Sequence, residues 1–290
     1  MIIWGMSFVW TNMLLDSGYP PMSIILIRIT LVSVLMGGLF LLAGKVTKIR
    51  KGDFKLFLLM ALFEPLLYFI GETYGIKITR SPTLASIMVS LIPLFGMAAG
   101  YFFFKERLTK NNIIGVFVSI IGVYSVLIND YGRIDNLIPG ILLFLSAIIS
   151  SVLYSVVIRR LTDSYNPYTL VVYQNLIGIF YFLPIVTIFE RRQLSEVNVS
   201  LINAYPLLML AILASGTAFL LFIYCIKNSG IAKTNMFVTL IPICTMIFSY
   251  FIGGEEITFV RTIGVVIAIT GLILSQIPQK VSTDKKNLPV

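Results

Sequence analysis

The sequence predicts an all-α membrane protein with ten transmembrane helices, arranged as two inverted repeats of five helices each. Three observations predict this fold class. The 290 residues are 58% hydrophobic and only 12% charged, whereas soluble proteins average roughly 45–50% and roughly 25%. The apolar residues form uncharged runs of about 20 residues, the length that a helix needs to cross a bilayer. The second half of the chain also repeats a pattern present in the first.

Seven uncharged runs have the length of a membrane-spanning helix. They cover residues 81–104, 111–129, 138–158, 167–189, 201–226, 234–254 and 262–279. Two further runs of this length contain charged residues. They are residues 20–44, with Arg28, and residues 54–76, with Glu64 and Glu72. We interpret both as spans, which makes them the second and third helices.

The first predicted helix is short. Residues 1–15 are apolar, but they are too few for a full crossing, so we expect this helix to lack its amino-terminal turns. A cleaved signal peptide is the alternative, and the missing basic region and cleavage site before Asp16 disfavour it. The predicted organisation is a first repeat at residues 1–130, a second at residues 136–279 and a cytoplasmic tail at residues 280–290.

The distribution of lysine and arginine predicts the orientation, because cytoplasmic loops of membrane proteins are enriched in both. With a cytoplasmic amino terminus, the even-numbered loops and the tail carry fifteen of the 22 basic residues and the odd-numbered loops carry six. Both termini are therefore expected in the cytoplasm of a multi-pass cell-membrane protein. The net charge of +9 is explained by this topology and by anionic lipid, so no nucleic-acid partner is expected.

An internal repeat appears at an offset of 149 residues. Leu-Ile-Pro at residues 91–93 recurs at residues 240–242. Met, Tyr, Phe, Glu, Thr and two Gly then recur in the same register downstream. Each copy holds five predicted helices, and an odd number makes the second copy enter the membrane from the opposite side. Inverted repeats of this kind are typical of secondary transporters, in which two halves expose one midplane site alternately to each face.

Five short segments also share a family pattern. They are Trp-Gly-Met-Ser-Phe at residues 4–8, residues 71–86, the Ile-Pro within residues 90–95, Lys-Glu-Arg-Leu at residues 105–108 and the later Ile-Gly-Val-Val. Over essentially the whole chain, the sequence resembles the EamA-type members of the drug/metabolite transporter superfamily. The resemblance implies ten helices, a cavity framed by helices one to four of each repeat, and export or exchange of small metabolites, often amino acids.

Three ionisable residues inside the apolar runs are the main site candidates. A charge at a helix centre costs about 2.5–3.5 kcal/mol on insertion scales, so Arg28, Glu64 and Glu72 are expected to face a cavity or a partner. Tyr68 lies four residues from each glutamate, which places all three on one helix face. Burial favours a protonated carboxyl and Arg28 an ionised one, so Glu64 or Glu72 is expected to alternate between a proton and a substrate amine. A static pair of Arg28 with one glutamate is the alternative.

Polar and aromatic residues on the inner helices complete the predicted substrate site. They are Trp4, Asn12, Ser90, Tyr154, Gln174 and Asn235. Asn12 stands where many relatives carry a basic residue. The alternative for each of them is ordinary hydrogen bonding between helices.

Proline and glycine positions suggest mechanical roles. Pro93 and Pro242 occupy matched places in the repeats, and each removes a helical hydrogen bond, so they are expected to act as paired hinges. Passive kinks are the alternative. Glycines that recur every four or seven residues are expected to form packing faces. They are Gly71 with Gly75, Gly96 with Gly100, Gly115 with Gly122, and Gly264 with Gly271.

The sequence predicts a secondary active transporter that exports or exchanges a small metabolite, an amino acid or a related amphipathic compound. No nucleotide-binding loop is present, so ATP is not expected to drive transport directly. A proton gradient or the exchange of one substrate for another is the expected energy source. The absence of histidine removes common metal and triad chemistries, so no metal, cofactor or catalytic residue is expected. Cys225 and Cys244 are interpreted as small buried hydrophobes. The alternatives are a membrane-embedded lipid-phosphate enzyme and a flippase for a lipid-linked sugar.

Overall fold

The computed structural model describes residues 1–104, 109–131, 138–197, 201–256 and 258–277. In this part of the chain the backbone forms helices and no strands, so the predicted all-α class is confirmed. The α-helices are α1 Ile2–Asp16, α2 Pro21–Val32, α3 Gly38–Leu42, α4 Phe54–Ala61, α5 Tyr68–Thr79, α6 Pro82–Val89, α7 Ile92–Phe104, α8 Lys110–Tyr131, α9 Ile138–Thr162, α10 Pro167–Ile185, α11 Arg191–Glu196, α12 Leu201–Met209, α13 Phe219–Ser229, α14 Ile231–Met236, α15 Ile241–Phe251 and α16 Phe259–Ser275.

Within the described residues, five helical runs are long and apolar enough to cross a membrane. They are Pro21–Leu42, Lys51–Thr79, Ile138–Thr162, Pro167–Glu196 and Ile202–Ser229. Shorter apolar helices of 10–17 residues occupy four other predicted spans. They are Pro82–Ala98, Lys110–Val126, Phe237–Phe251 and Phe259–Ser275. The protein is a multi-pass membrane protein, and the count of ten crossings stays a prediction.

The pair α8 and α16 forms the most extensive helix contact among the described helices. A methyl group at Gly115 would come within 2.5 Å of the Gly271 carbonyl oxygen, and one at Gly264 within 3.0 Å of the Gly122 carbonyl oxygen. These contacts pair the start of each glycine motif with the end of the other, so the two helices run antiparallel. Gly115 and Gly122 recur in the repeat as Gly264 and Gly271. Equivalent helices therefore face each other in opposite directions, as inverted repeats require.

Other contacts between the halves also occur between equivalent or matched pairs of helices. Helix α2 packs on α10, its equivalent in the second half. The run Lys51–Thr79 packs on α9, and its equivalent Ile202–Ser229 packs on α1. The two halves are thus interleaved, and the apolar core of the protein lies between them.

The connecting segments gather at the two ends of the helices. At one end the Tyr165 hydroxyl, from the connection between α9 and α10, donates to Asp53 Oδ2 at 2.7 Å. At the other end the Ser81 hydroxyl donates to Glu255 Oε1 at 2.6 Å. Each contact joins two connections that the crossing order assigns to the same membrane face.

The run Lys51–Thr79 is interrupted at Glu64, whose φ of −145° and ψ of 113° are not helical. The predicted continuous helix face from Glu64 to Glu72 is therefore wrong at Glu64. The cause is Pro65, which lacks an N–H group and excludes the carbonyl of the preceding turn. The Ser150 hydroxyl from α9 donates to the Phe63 carbonyl oxygen at 2.7 Å, which satisfies an acceptor that the break exposes.

Two further interruptions lie at the matched prolines. Helix α7 begins one residue before Pro93, and α15 begins one residue before Pro242. The short segment Phe237–Leu240, before α15, is a 3-10 helix. A proline fits the first turn of a helix, where its missing N–H would be unpaired in any case. The helices thus restart at both prolines, while the hinge motion itself stays a prediction.

Candidate functional site

A central cavity lies between the two halves. The cavity and its opening hold about 520 Å³ of space free of protein atoms, part of which is open to solvent. Both halves form its walls. The lining residues are Trp4, Ser7, Phe8, Arg28, Glu64, Tyr68, Phe69, Glu72, Val89, Ile92, Ser151, Phe219, Phe222, Asn235, Val238 and Ile241.

Six of the predicted substrate-binding residues meet at this cavity. They are Trp4, Arg28, Glu64, Tyr68, Glu72 and Asn235. They come from four separate stretches of chain, which only the helix packing brings together. The role of each in substrate binding stays a prediction.

The other four predicted residues lie outside the cavity lining, and their polar groups bond within the protein. The Tyr154 hydroxyl donates to Gln174 Oε1 at 2.9 Å. Asn12 Nδ2 donates to Asp16 Oδ2 at 2.8 Å. The Ser90 hydroxyl donates to the Ile87 carbonyl oxygen of its own helix turn at 2.6 Å. These bonds match the structural alternative considered for such residues.

The arginine of the cavity is held by neutral groups. Arg28 Nε donates to Ser215 Oγ at 2.8 Å, and the guanidinium carbon lies 4.0 Å from the centroid of the Phe69 ring. Among the described residues, Arg28 forms no direct ion pair with Glu64 or Glu72. A static ion pair of Arg28 with one glutamate, which was the alternative interpretation, is therefore not present among the described residues; Ser215 accepts from Nε and the Phe69 ring lies against the guanidinium instead.

The two carboxylates enter the cavity from different backbone settings. Glu64 lies in the non-helical break, whereas Glu72 lies inside the regular helix α5. Both residues are buried, at 5% and 3% exposure. Within the described part of the chain, Glu72 Oε2 has no hydrogen-bond partner.

The position of Glu72 depends on close packing of α5 against α9. A methyl group at Gly71 would come within 2.5 Å of the Leu143 carbonyl oxygen, and one at Gly75 would overlap the Phe144 ring. The predicted packing role of this glycine pair is confirmed. The small residues let the two backbones approach, and the neighbouring face of α5, with Tyr68 and Glu72, lines the cavity.

An aromatic cluster forms one wall of the cavity. The Trp4 ring contacts Phe219 and Phe222 edge to face, with centroids 5.3 and 5.0 Å apart. Phe69 extends the cluster, with its centroid 6.3 Å from that of Phe219. The wall offers apolar area and ring faces beside the two carboxylates.

Sequence reasoning missed several lining residues, among them Phe219, Phe222, Ser7 and Ser151. The two phenylalanines belong to a chain with 21 of them, mostly in apolar runs, so their type carries no signal. The serines are common between membrane helices. Helical spacing could have marked Phe219 and Phe222 as one face, but not as the face that turns towards the cavity.

Two carboxylates outside the cavity have structural partners. Glu190 accepts hydrogen bonds from Met22 N at 3.1 Å and from Ser23 N at 2.7 Å. It thereby caps the first turn of α2. Glu255 accepts from the Ser81 and Thr83 hydroxyls beside α6, consistent with a structural role at a helix end.

Among the described residues, no three His, Cys, Asp or Glu side chains lie close enough together to bind a metal ion. The chemistry available in the cavity is therefore that of carboxylates, one guanidinium, amide and hydroxyl groups, and aromatic rings. Groups of these types bind and orient small molecules in protein cavities.

Together, the fold and the cavity define a multi-pass membrane protein with a central polar cavity shared by two inverted halves. The family model described as the EamA-like transporter family matches residues 1–128 and 138–276. The chain belongs to this family and is a membrane transporter. Its relatives are named as transporters, so the alternative of a membrane-embedded enzyme does not apply.

Similar proteins align with most of this chain. An uncharacterized transporter of Archaeoglobus fulgidus is 26% identical and covers 96% of this chain and 95% of its own. The uncharacterized transporter YyaM of Bacillus subtilis is 27% identical, over 71% of this chain and 67% of its own. A protein of known crystal structure shares the fold with a TM-score of 0.68 at 17% identity, covering 94% and 95% of the two chains.

Proposed function

We propose that the protein is a secondary active transporter that exports or exchanges a small metabolite by alternating access. The substrate class is an amino acid or a related amphipathic compound. The observation that carries this proposal is the cavity between two inverted halves, with two carboxylates, one guanidinium and an aromatic wall. Inverted halves can adopt each other's conformations and so open one central site to either face.

Protons are the proposed coupling partner. Glu64 and Glu72 are buried in the cavity, and a buried carboxylate exists at low cost only when it is protonated or paired with a cation. Loading of the substrate and loss of a proton are therefore linked at the same groups. The energy source is a proton gradient or the exchange of one substrate for another.

The proposed location is the cell membrane, with both termini in the cytoplasm. The fifteen basic residues on one predicted face, against six on the other, support this orientation. At each end of the helix bundle, the segments that contact each other belong to loops predicted on the same side of the membrane. Tyr165 contacts Asp53 between two even-numbered loops, and Ser81 contacts Glu255 between two odd-numbered loops.

A cysteine placed in the cavity tests alternating access without knowledge of the substrate. The two native cysteines form no disulfide, and Cys225 is exposed rather than buried because its face of α13 points outwards. After both are replaced by alanine, Ser151→Cys is expected to react with a membrane-impermeant maleimide added on either side of the membrane. Lys48→Cys, at one end of the bundle, is the control and should react from one side only. Labelling of Ser151→Cys from a single side would contradict the proposal.

Transport itself is tested in proteoliposomes with a pool of radiolabelled amino acids. Uptake is expected to depend on pH in the unmodified protein and to lose that dependence in Glu64→Gln. The control is Glu196→Gln, which changes an exposed carboxylate paired with Arg192. Unchanged uptake in Glu64→Gln would discard the proton role of this residue. Uptake of water-soluble amino acids also separates a metabolite carrier from a flippase for lipid-linked sugars.

A further inference from the structure

The charges of the cavity do not cancel. Among the described lining residues, the acidic and basic side chains are those of Glu64, Glu72 and Arg28. When both carboxylates are ionised, the cavity carries one net negative charge. One proton or one monovalent cation neutralises it, whereas an anion would add to an uncompensated buried charge.

Arg28 is already engaged by the protein. Its Nε donates to Ser215 Oγ and its guanidinium covers the Phe69 ring. It forms no direct ion pair with either cavity carboxylate in the described part of the chain. The carboxylates therefore keep their own capacity to accept hydrogen bonds from a ligand.

Two buried acceptor atoms in the cavity lining have no hydrogen-bond partner within the described residues. They are Glu72 Oε2, from the first half, and Asn235 Oδ1, from the second half. Their residues are only 3% and 7% exposed. A buried acceptor without a donor costs about 1–3 kcal/mol. A ligand that removes this cost must supply N–H or O–H donors, which a carboxylate does not have.

The aromatic wall suits the remainder of such a ligand. Trp4, Phe219 and Phe222 meet edge to face beside the carboxylates. Aromatic faces attract a cation electrostatically, and their apolar area packs against a hydrocarbon or aromatic group.

We propose that the cavity binds a monovalent organic ammonium ion with an apolar or aromatic body, held through its N–H groups by Glu72 and Asn235. A carboxylate on the ligand is not needed for binding. The inference rests on the proposed transporter function and narrows its substrate class from amino acids and related compounds to amines.

Three ligands with the same phenyl ring test the proposal, because they differ mainly in charge. At neutral pH 2-phenylethylamine is a cation, phenylalanine is a zwitterion and 3-phenylpropionate is an anion. Binding is measured by isothermal titration calorimetry on the purified full-length protein. The amine is expected to bind about tenfold more tightly than phenylalanine, and 3-phenylpropionate is expected not to bind.

Tryptophan fluorescence gives a second measurement. The chain has two tryptophans, so Trp10→Phe leaves Trp4 as a reporter in the cavity wall. The emission of Trp4 should change on addition of the amine and should not change on addition of 3-phenylpropionate.

Two variants test whether Glu72 and Asn235 cause the preference for the amine. Glu72→Gln and Asn235→Leu are each expected to weaken amine binding about tenfold, and the second keeps the test open if the first does not fold. Glu196→Gln is the matched control and should bind the amine normally.

The proposal is overturned if phenylalanine binds as tightly as the amine, if none of the three ligands binds, or if both variants bind the amine normally. The labelling of Ser151→Cys from two sides does not depend on the ligand. A cavity that alternates between the two faces but does not prefer amines would therefore refute this inference and leave the proposed function standing.

Discussion

The Ser119 hydroxyl donates a hydrogen bond to the Ala268 carbonyl oxygen at 3.2 Å, and the two residues are 149 positions apart. This separation equals the repeat offset, so each residue contacts its own repeat equivalent. Such a contact lies on the axis that relates the two copies. Because α8 and α16 are antiparallel, the axis is perpendicular to the helices and hence parallel to the membrane plane.

The glycines around this axis set the distance between α8 and α16. A methyl group at Gly271 would come within 2.7 Å of the Gly115 carbonyl oxygen and would also overlap the Ser119 backbone. We expect Gly271→Ala to lower the free energy of unfolding by about 1–3 kcal/mol, because the backbones must separate. Thermal unfolding of the purified protein in detergent measures the effect.

Gly96→Ala is the control for this prediction. Gly96 was expected to form a packing face with Gly100, whose surroundings lie outside the described part of the structure. Among the described residues a methyl group at Gly96 would meet nothing within 4 Å, so the expectation is wrong for Gly96. The added methyl should be neutral or slightly stabilising in a helix. Equal losses in Gly96→Ala and Gly271→Ala would contradict the packing argument.

Glu190 is expected to stabilise the first turn of α2. Its carboxylate accepts from Met22 N, Ser23 N and the Ser23 hydroxyl, the last at 2.8 Å. Glu190→Ala would leave buried donors unpaired, and we expect a loss of about 1–3 kcal/mol in the free energy of unfolding. Glu196→Ala removes an exposed carboxylate from an i,i+4 pair and should cost at most about 0.5 kcal/mol. Similar thermal stabilities for the two variants would refute the capping role.

The paired prolines are expected to affect turnover more than binding. Pro93 and Pro242 occupy the first turns of the restarted helices α7 and α15. Alanine at both positions restores the missing N–H groups and favours continuous helices, so exchange across proteoliposome membranes should slow. Pro139→Ala, at the exposed start of α9, serves as the control. Lost binding in a normally folded double variant would count against hinging.

Single cysteines at the two ends of the bundle test the topology. Lys48 and Asp163 are exposed near one end, and Ser17 and Glu196 are exposed near the other. In a background without Cys225 and Cys244, Lys48→Cys and Asp163→Cys should react with an impermeant maleimide from the cytoplasmic side only. The other two should react from outside only. Reaction of Ser17→Cys and Lys48→Cys from the same side would contradict the proposed orientation.

Some features of the site could be predicted because the residues involved differ from their neighbours in the sequence. Arg28, Glu64 and Glu72 interrupt apolar runs, and the cost of such charges implies a polar cavity. The antiparallel orientation of α8 and α16 could likewise be predicted, because the repeat contains five helices, but their direct contact could not. Glu190 escaped notice because it stands at the end of an apolar run, where a charge needs no explanation.

The sequence by itself determined the membrane environment, the helical class and the inverted repeat, because hydropathy and periodicity are properties of short stretches of chain. Only the tertiary structure decided which side chains meet. It placed Ser215 and Phe69 on Arg28, turned Phe219 and Phe222 into the cavity wall, and bonded Tyr154 to Gln174. These contacts depend on helix rotation and spacing, which arise from packing between residues far apart in the chain.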